Sequence, residues 1–238
     1  MNATIARLTT STLLGKRRVL LLFVLPAVLV LLAVLLRLVT GPSLQVGTTL
    51  LQTFALGTIV PLLGLIAGTG VIGPEIDDGS IIYVLAKPMP RPTIILTKLA
   101  VSVGCLVVFA AVPTLIAGVI MSGFDDGVAV AFAVAAAVAG LAYSAVFLML
   151  AVVTKHAVVF GLIYALIWES LVGGFVPGAQ VLSIQQWALA VADTLISRDS
   201  IEAAVGLGTG VILLALTIVV ATWFAGERLR SLTLTETE

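Results

Sequence analysis

Histidine and cysteine are almost missing from this chain: it has one of each, His156 and Cys105. A lone histidine excludes a His-Glu-x-x-His zinc site and any multi-histidine metal cluster. A lone cysteine excludes an intrachain disulfide, and Cys105, inside an apolar run, reads as a small packing residue. No Gly-x-x-x-x-Gly-Lys-Ser/Thr run occurs, so the chain has no P-loop with which to hold ATP itself. Charge is scarce too. Only 10% of the residues are Asp, Glu, Lys or Arg, against about 25% in an ordinary soluble domain. The net charge is zero, which offers nothing to a nucleic-acid backbone. What remains is hydrocarbon: 61% of the 238 residues are hydrophobic, and a chain so apolar along its whole length fits the polytopic membrane class.

A bilayer crossing needs about 20 apolar residues, and six stretches qualify: 19–39, 46–72, 97–121, 128–153, 157–176 and 203–225. Lys16, Arg17 and Arg18 precede the first, as in a signal peptide. Its apolar run from Val19 to Leu36 exceeds the roughly 7–15 residues of a cleaved leader, and no small-x-small site follows, so it reads as a retained helix. With the N-terminus inside, the cytoplasmic side receives Arg7, Lys16, Arg17, Arg18, Lys87, Arg91, Lys98, Lys155, Arg228 and Arg230, leaving Arg37 and Arg198 outside. That asymmetry predicts an all-α membrane protein with six transmembrane helices and both termini cytoplasmic. The whole chain forms one transmembrane domain, 1–238. Residues 1–18 read as an N-terminal interfacial helix and 73–96 as a cytoplasmic loop. The stretch 177–202 reads as an outer interfacial or re-entrant helix with Trp187 at headgroup level. Gly64 and Gly68, Gly206 and Gly210, and the Ala131, Ala135, Ala139 face mark close helix approaches. Pro26, Pro61 and Pro113 predict kinks.

The 73–96 loop is the one long interruption rich in charge and proline. Ile76, Ile81, Ile82, Val84 and Leu85 form an amphipathic element, with Glu75, Asp77 and Asp78 offered to a basic groove or to the element's own N-terminus. Pro88, Pro90 and Pro92 stiffen the return path. Glu75 four residues before Gly79-Ser80, an apolar stretch to Leu85, Lys87-Pro88, Arg91 and then Lys98 together resemble the signature of permeases of the type-2 ABC exporter family. Asp77 and Ser80 stand where many members have another acid and Thr. The resemblance covers about 25 residues plus the six-helix topology, and is nearest in size to the small permeases of nitrous-oxide-reductase maturation and drug efflux.

The resemblance implies that Glu75, Asp77, Asp78, Gly79, Ser80, Leu85, Lys87, Pro88, Arg91 and Lys98 couple the chain to a separate cytosolic ABC ATPase. ATP and Mg would then be bound by that partner and no cofactor by this chain. It implies pairing with a second permease, identical or homologous, in the plasma (inner) membrane. The chain itself is expected to be a transport subunit, not an enzyme. A secondary carrier or an integral membrane anchor without ATP coupling is the alternative, although no internal repeat of the kind common in carriers is visible.

Glu169 is the one carboxylate well inside an apolar stretch, and an acid there is by default a functional candidate on the substrate path: a substrate-cation contact, a proton site or an interhelical hydrogen bond. The glycines at 173 and 174 leave open a second reading, in which the helix ends early and Glu169 lies at the outer interface. Arg37 is expected to snorkel to the outer surface, Lys98 to sit at the inner headgroups, and Asp125-Asp126-Gly127 and Lys155-His156 to be solvated turns.

Overall fold

The computed structural model describes residues 3–13, 15–80, 91–123, 127–172, 178–196 and 203–231. These residues form helices and turns, with no strand among them. We number the helices α1 (Ala3–Leu13), α2 (Lys16–Thr40), α3 (Leu44–Thr49 and on to Gly70), α4 (Arg91–Leu106 and on to Ser122), α5 (Val128–Val153), α6 (Ala157–Ile163 and on to Val172), α7 (Ile184–Leu195) and α8 (Leu207–Ser231). Five described helices are long and apolar enough to cross a membrane: Val19–Thr40, Leu44–Asp77, Pro92–Ser122, Val128–Val153 and Leu207–Leu229. The stretch expected to be the fifth crossing contributes only a shorter apolar helix, Ala157–Glu169, to that set. The chain is thus an all-α protein with the helices of a multi-pass membrane protein.

Helix α5 is the central element; α3, α4, α6, α7 and α8 all pack against it. Its alanines make this possible. Ala131, Ala135 and Ala139 are fully buried, as their spacing predicted, but so are Ala129 and Ala136 on the opposite face. Small side chains all round let several helices approach one axis. The closest approach is to α3, where a Cβ placed on Gly64 would stand 2.7 Å from the Tyr143 Cβ, and one on Gly68 would stand 2.9 Å from the Phe147 Cβ. Of the pair in α8, Gly210 lies against Ala190 and the Trp187 backbone, whereas nothing comes within 4 Å of a Cβ at Gly206, which precedes the helix.

The prolines in α3 and α4 are accommodated by π-helical turns. Leu50–Ile59 and Val107–Ala111 are π-helical, and each is followed by an α-helical segment with proline in its first turn, Pro61 and Pro113. At the junctions Val60 N–H reaches back to Ala55 O and Val112 N–H to Val107 O. A proline lacks the N–H for the usual bond and its ring crowds the carbonyl four residues earlier, so a wider turn relieves both problems. Helix α2 runs on through Pro26 without such a segment.

Two apolar clusters divide the bundle. The larger fills its body and includes Leu51, Leu63, Phe132, Tyr143, Phe147 and Trp187. The smaller gathers Leu13 of α1, Val71 and Ile72 of the turn after α3, Ile94 and Leu99 of α4, and Ala225 and Leu229 of α8. The N-terminal helix is therefore held by this chain, with Leu13 buried while Arg7 and Leu8 stay exposed. Arg37 does not hang free at the surface: its Nη1 donates to Met121 O at 2.7 Å, in the last turn of α4, where a cation meets the negative end of the helix.

Candidate functional site

The loop after α3 starts with a turn at Val71–Ile72. The one-turn helix Gly73–Asp77 follows, opened by Pro74, whose missing N–H costs nothing in a first turn. Ile76 N–H bonds to Ile72 O and Asp78 N–H to Pro74 O. Gly79 then turns the chain with φ of +68°, in the left-handed region that only glycine enters freely. Nothing lies within 4 Å of a Cβ built there, so conformation, not space, makes this position a glycine. Ser80 Oγ donates back to Glu75 O at 3.4 Å. The first acid of the motif, its glycine and its serine thus form one local fold.

Lys98 of α4 completes it. Its ammonium donates to Glu75 Oε1 at 2.6 Å and to Val71 O at 2.5 Å. Val71 is the residue that caps the α-helical run Val60–Gly70, so the cation also meets a helix C-terminus. The Lys98 side chain is 1% exposed and that of Glu75 16%. Lys98 was expected among the inner headgroups. It is enclosed instead, because the turn after α3 folds the carboxylate over it, and a buried ammonium needs such a partner. Glu75 Oε2 is buried and accepts no hydrogen bond among the described residues. Asp77 and Asp78 are exposed beside this pair. Arg91 opens the helix of α4. Leu85, Lys87 and Pro88, with the amphipathic stretch 81–85 and Pro90, lie outside the described residues.

A second polar cluster lies toward the other end of α3. Glu169 is fully buried. Its Oε1 accepts from Tyr164 OH at 3.1 Å and from Ile184 N–H at 3.0 Å, and its Oε2 accepts a short bond from Ser183 Oγ. Ser183 is the N-cap of α7 and also accepts from Gln186 N–H. The carboxylate therefore stands at the positive end of α7, a favourable place for an anion. Gln185 Nε2 donates to Gln52 O at 2.8 Å, tying the same helix start to α3. The hydroxyl of Tyr143 is buried near Glu169, interacting with it electrostatically but outside hydrogen-bond geometry. Glu169 is thus a buried acid with interhelical hydrogen bonds, its oxygens taken by donors of this chain.

The partners of Glu169 were not singled out in the sequence, and ordinary helical spacing hid the nearest of them. Tyr164 and Glu169 are five residues apart, which in an α-helix places them on different faces. The stretch Tyr164–Val172 is π-helical, and its i to i+5 bonding brings them together. Helix α7 also differs from expectation. Ile184, Trp187, Ala188, Leu189 and Ala192 are buried against α5 and α8, and the indole of Trp187 donates to Val181 O at 2.6 Å, so Trp187 is a core residue and not an exposed headgroup anchor.

Among the described residues no group of three or more His, Cys, Asp or Glu is placed to hold a metal ion. Compared with known proteins, the chain matches no family model and no curated protein.

Proposed function

We propose that this chain is the permease subunit of an ATP-driven exporter of the type-2 ABC kind, coupled through its 73–96 loop to a separate cytosolic ATPase and paired with a second permease in the plasma membrane. The observation that carries the reading is the cluster of Glu75, Gly79, Ser80 and Lys98. Residues picked out as a linear motif 24 positions long come together as one folded unit, with two exposed acids, Asp77 and Asp78, on its outside. A rigid knob bearing free carboxylates suits docking to a basic groove. Its bond to both α3 and α4 gives a push on the knob a direct path into two long helices.

The same reading takes the chain to cross six times, with α6 as the fifth crossing and both ends cytoplasmic. Support comes from the smaller apolar cluster, where Leu13 near one end of the chain and Leu229 near the other meet Val71 and Ile72. An even number of crossings brings two ends together in this way; five would separate them. The carrier alternative leans on Glu169 as an ion site, and its oxygens already receive a tyrosine, a serine and a backbone donor.

The test is purification of the tagged protein from its own membranes in mild detergent, with partners identified by mass spectrometry, beside an Asp77→Asn/Asp78→Asn variant. Recovery of a Walker-motif ATPase with the wild type, reduced in the variant, is the expected outcome. A folded wild type that brings down no ATPase in several detergents would overturn the exporter reading.

A further inference from the structure

We infer that the notch between α1 and α4 is a binding site for an anionic phospholipid, with one acyl chain in the notch and the headgroup at the basic start of α2. This inference needs only the membrane location of the chain and stands apart from the exporter reading. The notch has a volume of about 340 Å³ and is lined by Thr10 and Leu13 of α1 and by Val101, Gly104, Cys105, Val108 and Phe109 of α4. From Val101 to Phe109 it runs eight residues along α4, or about 12 Å. Gly104 makes the hollow, since nothing lies within 4 Å of a Cβ built there. Phe23 of α2 packs edge-on against Phe109, with ring centroids 4.9 Å apart, and stands by the deep end.

Charge decides what would fill it. Helix α2, which supplies Phe23, begins with Lys16, Arg17 and Arg18, and Lys16 follows Leu13 of the notch by three residues. Arg7, exposed on α1, precedes Thr10 of the notch by one turn. An apolar groove whose α1 wall leads within three residues into the Lys16-Arg17-Arg18 start of α2 matches a lipid with a negative head and a hydrocarbon tail.

Cys105 makes the site readable in the natural protein, because it is the chain's one cysteine and lines the notch while remaining partly exposed. The wild type, reconstituted into vesicles of phosphatidylcholine alone or with phosphatidylglycerol added, is treated with a bilayer-soluble maleimide and the rate of Cys105 modification measured. An attraction of about 1 kcal/mol per basic residue is roughly a fivefold effect for each. Labelling should therefore slow by at least about fivefold when phosphatidylglycerol is present. A Lys16→Gln/Arg17→Gln/Arg18→Gln variant should label at nearly the same rate in both vesicles. Because that variant also removes inside-facing charge and could fail to insert, Gly104→Leu is the second: its side chain enters open space, preserves the fold and fills the notch. Native mass spectrometry should find phosphatidylglycerol retained on the wild type and lost from Gly104→Leu. Equal labelling of the wild type in both vesicles would overturn the assignment. So would a slowing that persists in both variants, which marks an effect of the anionic surface on thiol reactivity.

Discussion

Replacing Lys98 by methionine removes the one cation that Glu75 meets in the described structure, at the junction of α3 and α4. The carboxylate cannot turn fully to water, since its side chain is only 16% exposed and Oε2 is already buried without a partner. Val71 O loses its donor in the same step. Removing one member of a buried ion pair costs about 3–5 kcal/mol, and the partial exposure of Glu75 argues for the lower end, about 3 kcal/mol. At about 2–4 °C per kcal/mol for a chain of this size, the unfolding midpoint should fall by roughly 6–12 °C. Glu75→Gln should do less harm, about 1–2 kcal/mol, because an amide oxygen can still accept from Lys98 and Val71 O keeps its donor. The double variant Lys98→Met/Glu75→Leu removes both charges and should be less damaged than Lys98→Met alone. Tryptophan fluorescence during a thermal melt in detergent provides the assay, since Trp187 is buried in the native core. Additive losses in the double variant, or a Lys98→Met protein as stable as the wild type, would refute the argument that the pair acts as one buried unit.

Other positions give sharper local tests with the same melt. Glu169→Leu removes the acceptor for three donors, including the Ile184 N–H that begins α7; it should cost about 2–5 kcal/mol, and Glu169→Gln about 1–3 kcal/mol. Gly64→Val drives new atoms into Tyr143 across the tightest part of the α3–α5 contact, and should cost at least about 1–3 kcal/mol as overpacking. Gly79→Ala meets no neighbour yet must hold φ of +68°; a loss of about 1 kcal/mol is expected, with Gly79→Asn milder because asparagine tolerates that region. Equal stability of Gly79→Ala and wild type would show that the turn relaxes to another conformation.

Much of the architecture was legible in the sequence. Long apolar runs between short polar breaks define crossings whatever surrounds them, because a bilayer demands a fixed length of internally bonded helix. Ala131, Ala135 and Ala139 and the Gly64–Gly68 spacing pointed to close contacts, and α5 and α3 use them. The motif from Glu75 to Lys98 was visible as a spacing of residue types. Its closure was not: 22 residues separate the acid from the base, and nothing along the chain requires the turn at Val71 to aim one at the other.

The features that became visible only on folding share one cause. Lys98, Arg37 and Trp187 are amphipathic or charged residues that the sequence puts at the membrane interface, and Glu169 is an acid that it leaves either within the membrane or at the outer interface. In the folded chain each finds its partner in the protein: Glu75 and Val71 O for Lys98, Met121 O for Arg37, Val181 O for Trp187, and the start of α7 for Glu169. Helix position along the chain says how deep a polar group enters, but satisfaction of its hydrogen bonds depends on which helix end packs beside it. The π-helical turns follow the same division. Pro61 and Pro113 announced that α3 and α4 could not be regular, as a missing N–H and a crowding ring are local facts. Whether the helix kinks or widens depends on the helices packed around it, and here widening keeps Gly64 and Gly68 against α5.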